Sequence, residues 1–118
     1  MEIEVNDYVR TEFGNIGKFY RPASESSDVY YIYINKDGNK ISSRYDSIVK
    51  HSNKIIDLIE VGDILKLKDG EKWEVQEHQG DGNWIQTEWE VIENEEDFKN
   101  KVDSILTHEQ FSSLEYII

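Results

Sequence analysis

The dipeptide Asp-Gly occurs three times, at Asp37-Gly38, Asp69-Gly70 and Asp81-Gly82, each time beside a short apolar run. A tight hairpin turn needs positive φ, which glycine adopts without steric cost, so this pair between alternating segments marks a hairpin. The first pair predicts a turn between strands over residues 29–35 and 40–43. The second joins 64–67 to 73–75, and the third precedes a strand over 84–87. Short strands at such spacing predict a small barrel or curled sheet. The composition agrees: Ala and Pro occur once each, while Ile and Tyr, which favour strands, are frequent. The expected class is α+β, mainly β: a small SH3-like barrel or curled antiparallel sheet with one or two short C-terminal helices.

A weak internal repeat runs through the chain. Val5-Asn6-Asp7-Tyr8-Val9-Arg10-Thr11 leads into Gly14-Asn15-Ile16-Gly17-Lys18, and Val61-Gly62-Asp63-Ile64-Leu65-Lys66-Leu67 leads into Asp69-Gly70-Glu71-Lys72-Trp73. Each reads as a turn ending in Asp, a strand, a glycine hairpin and a second strand, a pattern frequent at the first hairpin of SH3-like barrels. The period changes near the end. Phe98, Val102 and Ile105 fall on one helical face, with Asn94 as N-cap and Glu95, Glu96 and Asp97 in the first turn, where the helix dipole favours acids. A second short helix is expected from Thr107, with Gln110 completing a capping box, and Tyr116-Ile117-Ile118 reads as a final strand. At 118 residues the chain reads as a single domain, 1–118, with a β-rich body over 1–92 and a helical segment over 93–118 packed on it.

Several chemistries are disfavoured. The absence of Cys excludes disulfides, thiol catalysis and cysteine metal sites. His51, His78 and His108 are scattered, and Asp81-Gly82-Asn83 lacks the later ligands of a calcium loop, so no metal or other cofactor is expected. No serine sits in a nucleophile elbow, and no phosphate loop is present. Acid catalysis needs a carboxyl in an apolar pocket, whereas the carboxylates here crowd together in one polar stretch. The chain is therefore expected not to be an enzyme. It has no apolar run of about 20 residues and no basic or apolar leader, so no membrane span or signal peptide is expected.

Charge is distributed unevenly. Residues 1–60 hold ten acidic against eight basic side chains; residues 61–118 hold fifteen against five. The densest stretch runs from Glu88 to Asp97, with six carboxylates and no base. Were 88–92 a strand, Glu88 and Glu90 would share a face about 6.6 Å apart and repel by only about 0.6 kcal/mol in water. Such a face is cheap to keep, and it suits a basic partner, with Trp84 and Trp89 as anchors. A pI near 4.6 argues against direct binding to nucleic acid or an anionic membrane. In Tyr30-Tyr31-Ile32-Tyr33-Ile34, alternation puts Tyr31 and Tyr33 on one face and Tyr30, Ile32 and Ile34 on the other; one face is expected to pack the core with the Tyr hydroxyls at the rim, the alternative being an exposed tyrosine pair used for binding. A tyrosine platform for single strands would need nearby cations, and Lys36, Lys40 and Arg44 are too few.

Three segments, Asn6-Asp7-Tyr8-Val9-Arg10-Thr11, residues 48–63 and Ile105-Leu106-Thr107-His108-Glu109-Gln110-Phe111, resemble small uncharacterised proteins of phages and prophages of Gram-positive bacteria. The middle segment is the most specific; residues 84–97 resemble them least. No residue role carries over from that group. The resemblance implies a phage protein, and small acidic phage proteins include anti-CRISPR inhibitors and nucleic-acid mimics. RNA-guided nucleases hold their heteroduplex in a positively charged channel. The expected function is thus a non-enzymatic acidic phage protein in the host cytoplasm. It would bind and inhibit a basic host defence protein, such as a CRISPR effector, through Trp84, Glu88, Trp89, Glu90, Glu93, Glu95, Glu96 and Asp97. The alternative is a structural or accessory phage protein acting through self-assembly.

Overall fold

A computed structural model describes residues 3–25, 28–77 and 84–110. Contacts divide the chain into two compact units, Met1–Leu58 and Ile59–Ile118. In the first unit, β1 (Tyr8–Thr11), β2 (Ile16–Pro22), β3 (Tyr30–Ile34) and β4 (Lys40–Arg44) form an antiparallel meander. A 3-10 turn at Tyr45–Ser47 then leads into β5 (Ile48–Ser52), which returns to pair with β1, and a second 3-10 turn follows at Ile55–Leu58. The order is β4-β3-β2-β1-β5. In the second unit, β6 (Ile64–Leu67), β7 (Lys72–Gln76), β8 (Ile85–Thr87) and β9 (Val91–Ile92) repeat the meander. Helix α1 (Glu95–Lys101) then leads into β10 (Val102–Leu106), which returns to β6, giving the order β10-β6-β7-β8-β9. The protein is mainly β, built from two five-stranded antiparallel sheets, one of them curled into a half-barrel, with short helices.

The two units repeat at the level of single hydrogen bonds. Asn6 N–H donates to Phe19 O (2.8 Å), Phe19 N–H to Asp7 O (2.8 Å) and Asp7 N–H to Glu4 O (3.0 Å). Their counterparts are Gly62 to Val75 (3.0 Å), Val75 to Asp63 (2.9 Å) and Asp63 to Glu60 (3.1 Å). Each Asp also accepts, through Oδ2, the backbone N–H three residues earlier: Glu4 at 3.0 Å and Glu60 at 2.8 Å. The turn requires positive φ just before the Asp. Asn6, a residue that tolerates this region, supplies +74°, and Gly62 supplies +93°. Pairing follows the same offset, with Tyr8↔Lys18 matched by Ile64↔Glu74 and Val9↔Gly17 by Leu65↔Trp73. The returning strands even slip register at the same place, leaving Val49 in one unit and Asp103 in the other outside the pairing and exposed.

Alternation fixes the core of the first unit. Val9, Phe19, Tyr31, Tyr33 and Ile48 form it, with Ile3, Ile41 and Tyr45 packed alongside. The Phe19 and Tyr31 rings stack at 5.8 Å and Tyr45 lies 5.1 Å from Tyr31. Such pairs add about 0.5–1.5 kcal/mol each beyond area burial. Tyr31 and Tyr33 are on the face that points inward, but the Tyr31 hydroxyl does not reach the rim: it is buried and, among the described residues, has no hydrogen-bond partner. The Ser43 and Ser47 hydroxyls nearby are committed to each other (3.1 Å), and Ser47 donates to Arg44 O (2.7 Å). The guanidinium of Arg10, fully buried, closes the unit by donating to Leu58 O at 2.9 Å.

The chain differs from the sequence reading in two further places. The helical face drawn through Phe98, Val102 and Ile105 breaks after Lys101. Only Phe98 of the three is helical; Val102 is extended at φ −95°, ψ 128° and pairs with Leu67. Closing the sheet against β6 outweighs helix continuation for this β-branched residue. Second, 88–92 is not one strand. Glu88 and Glu90 belong to the β8–β9 turn, and only Val91 and Ile92 pair. Residues 108–110 are helical directly after Thr107. The Asp81-Gly82 turn, Phe111 and the Tyr116-Ile117-Ile118 strand lie outside the described residues.

Candidate functional site

The acidic stretch divides into a turn and a helix start. Thr87, nearly fully buried, organises the turn: its hydroxyl donates to Glu90 O (2.7 Å) and accepts from Trp89 N–H (3.2 Å) and Glu90 N–H (2.9 Å). Thr87 N–H also donates to Glu90 O (2.9 Å). One side chain and one backbone pair thus fix the loop, and Trp89 stands out from it 72% exposed. An indole held open on a rigid turn loses little conformational freedom on binding.

The helix begins as expected. Asn94 Oδ1 accepts the Asp97 N–H at 2.9 Å, and Glu95, Glu96 and Asp97 occupy the first turn. Phe98 is buried, which contributes about 1.5–3 kcal/mol and seats the helix. Lys101, in the last turn, reaches Glu90 Oε2 (3.2 Å) and Asp97 Oδ1 (3.3 Å). These hydrogen bonds, first to Glu90 and then to Asp97, push its ammonium pKa up. Lys101 therefore ties the Trp89 turn to α1. A shallow groove runs between them, lined by Val91, Glu93, Asn94, Glu96, Asp97 and Lys101.

Of the eight residues expected at this site, Trp89, Glu90, Glu93, Glu96 and Asp97 are brought to the turn and groove. Glu88 lies in the turn but leans toward β7, where its Oε1 meets Glu74 N–H at 3.4 Å. Trp84, just before β8, and Glu95, on α1, are half-buried and do not line the groove. The sequence reading missed Thr87 and Lys101. The local signal for Thr87 was its place one residue before the acidic run.

A second grouping joins residues far apart in sequence. His108 Nε2 lies 2.8 Å from Glu60 Oε1 and 3.0 Å from Glu109 Oε1. Behind it the fully buried Asp63 accepts His108 N–H through Oδ1 (3.0 Å) and Glu60 N–H through Oδ2 (2.8 Å). Among the described residues this is the grouping whose ligand atoms lie close enough, within 4.8 Å, to share a cation. Glu60 and His108 are separated by 48 positions, so no local spacing announced it. Compared with protein families, characterised proteins and solved structures, the chain matches none. No helix among the described residues is long and apolar enough to cross a membrane.

Proposed function

We propose that the protein is a non-enzymatic binding protein whose second unit docks onto a basic surface of a nucleic-acid-handling partner. The observation that carries this reading is Trp89, exposed on a turn pinned by Thr87 and flanked by exposed Glu88, Glu90 and Glu93. A rigid aromatic anchor supplies affinity, and surrounding carboxylates supply complementarity to Lys and Arg and raise the on-rate. Charge follows the unit boundary: residues 1–58 hold nine acidic against eight basic side chains, and residues 59–118 hold sixteen against five. The sequence resemblance to phage proteins makes a host defence enzyme with a nucleic-acid channel, such as a CRISPR effector, the proposed partner class, and inhibition by occupying that channel the proposed effect.

The test is affinity for such a purified effector as a function of salt. The expected result is binding that weakens steeply with ionic strength, is lost on Trp89→Ala, and is lost on reversing Glu88, Glu90 and Glu93 to Lys. Binding that ignores salt and survives those reversals overturns the reading. Light scattering that shows a large, stable homo-oligomer in place of partner binding supports self-assembly instead.

A further inference from the structure

The first unit carries a surface of opposite character. Its five strands contain no carboxylate, yet they hold Arg10, Lys18, Arg21, Lys40, Arg44 and Lys50. Arg10 is buried; the rest are on or near the surface. On the face of β1–β4 opposite the core, cations lie over tyrosine rings. Lys18 Nζ stands 5.4 Å from the Tyr8 ring centroid, Lys40 Nζ 4.7 Å from Tyr20, and Arg44 Cζ 5.7 Å from Tyr30. Pairing puts Lys18 and Lys40 on either side of Ile34 in one cross-strand row, and Arg44 beside Tyr30, itself 45% exposed. Acids border this face: Asp46 pairs with Arg44 at 3.0 Å, and Asp7, Asp28 and Asp37 lie close in sequence to Tyr8, Tyr30 and Lys40.

The second unit serves as an internal control. It has the same strand order, the same β1–β2 register and the same slip in the returning strand, while the β2 bulge at Tyr20 has no counterpart in β7, so the shared framework does not require a cation at the Lys18 position. At the positions matching Lys18, Tyr20 and Arg21 it carries Glu74, Gln76 and Glu77. Its strands hold Lys66 and Lys72 against Glu74 and Asp103, which leaves them neutral. The cation and tyrosine pattern is therefore particular to the first unit.

We infer that the β1–β4 face of the first unit binds single-stranded nucleic acid, with Lys18, Lys40 and Arg44 meeting phosphates and Tyr8, Tyr20 and Tyr30 stacking on bases. Cations beside aromatic rings are the combination that holds a single strand without reading its sequence. The three cations weighed in the sequence become a larger set because β2 adds Lys18 and Arg21 to the same sheet. The overall charge of −12 does not forbid this. Charges beyond roughly 8–10 Å are largely screened at physiological salt, so the local face decides. This inference stands independently of the Trp89 surface, which lies on the other unit.

Fluorescence anisotropy of the full chain with labelled oligothymidylate and oligouridylate of about a dozen nucleotides tests it, a length within the roughly 4–16 nucleotide sites of small single-strand-binding folds. The wild type is expected to bind both strands at low salt and to bind a duplex of the same length more weakly. Reversing Lys18 and Lys40 to Glu is expected to lower affinity at least tenfold. It also flattens the salt slope by roughly 1.4, at about 0.7 per phosphate contact. Both lysines are exposed, so the fold is retained, as near-UV circular dichroism will show; Ser42→Glu on exposed β4 gives an independent charge insertion with the same expected direction. Tyr30→Ala weakens binding severalfold without changing the slope, and reversing Glu88 and Glu90 leaves the slope unchanged. No binding at low salt, equal binding of duplex, or undiminished affinity after the lysine reversals overturns the inference. So does salt-sensitive self-association that vanishes in the lysine variant while no oligonucleotide binds.

Discussion

Asp7 and Asp63 hold the same place in two copies of one turn: each receives, on its carboxylate, the amide three residues before it, and each opens a strand. Their surroundings differ. Asp7 is half-buried, whereas Asp63 is fully buried and also receives the amide of His108. Replacing Asp63 by Ala leaves two half-buried amides without their acceptor, and the expected loss is about 2–3 kcal/mol. Asp7→Ala is expected to cost about 1 kcal/mol. Urea unfolding of the two variants checks the order, and an equal loss would contradict the difference in burial.

Gly17 lies against Tyr33. A Cβ there meets Tyr33 Cδ2 at 2.4 Å and the Ile34 carbonyl at 2.7 Å. Neither the core ring nor the backbone yields freely. Gly17→Ala is expected to destabilise by about 1–3 kcal/mol, read from the urea midpoint. The second unit has Trp73 at this position and, across from Val75, Thr87 where the first unit has Tyr33 across from Phe19. Aromatic bulk has moved from one strand to its neighbour.

Burial pushes the Tyr31 phenol from 10.0 up to about 12. Because the folded value is the higher one, the contribution is fully present below pH 10 and is lost as pH rises through about 12. Stability is therefore expected to fall across that window. Tyr31→Phe removes a buried hydroxyl without a partner, so near pH 7 it is expected to be neutral or stabilising by up to about 1 kcal/mol. It also makes the alkaline loss shallower, leaving the smaller contributions of Tyr33 and Tyr45, whose phenols burial also raises. Thermal melts of both proteins from neutral to alkaline pH measure this.

Thr87 and Trp89 separate scaffold from contact. Trp89→Ala is expected to leave stability within about 0.5 kcal/mol, since the ring is exposed. Thr87→Val keeps the shape but removes the hydroxyl that binds three backbone groups of the turn. Its expected cost is about 1–3 kcal/mol, together with a broadened Trp89 fluorescence anisotropy decay, because the turn loses its anchor. The reverse pattern would place Trp89 in the scaffold.

Turn chemistry was the part of the fold most legible in the sequence. Asp37-Gly38 and Asp69-Gly70 placed two hairpins, and the matching Asp7 and Asp63 segments announced the repeat, because positive φ and local side-chain bonds restrict residue choice there. The second half of each unit was less legible. Val102 has the spacing of a helix but the partner of a strand, and that partner, Leu67, is remote in sequence. At the site, the cap at Asn94 was local and readable. The convergence of Lys101 on Glu90, of His108 on Glu60, and of Lys18 and Lys40 on one face depends on pairing between strands, which composition does not encode.

The return of β5 to β1 and of β10 to β6 bears on how the chain reaches its native state. Each sheet closes within its own half, Tyr8 meeting Ser52 and Ile64 meeting Leu106. The costly search for distant partners is thus made twice over a moderate loop rather than once over the whole length, which keeps contact order down. On the ribosome, the first half has all its partners as soon as Leu58 has emerged, before the acidic second half has left the exit tunnel. A nascent chain arrested shortly after that point should already resist protease.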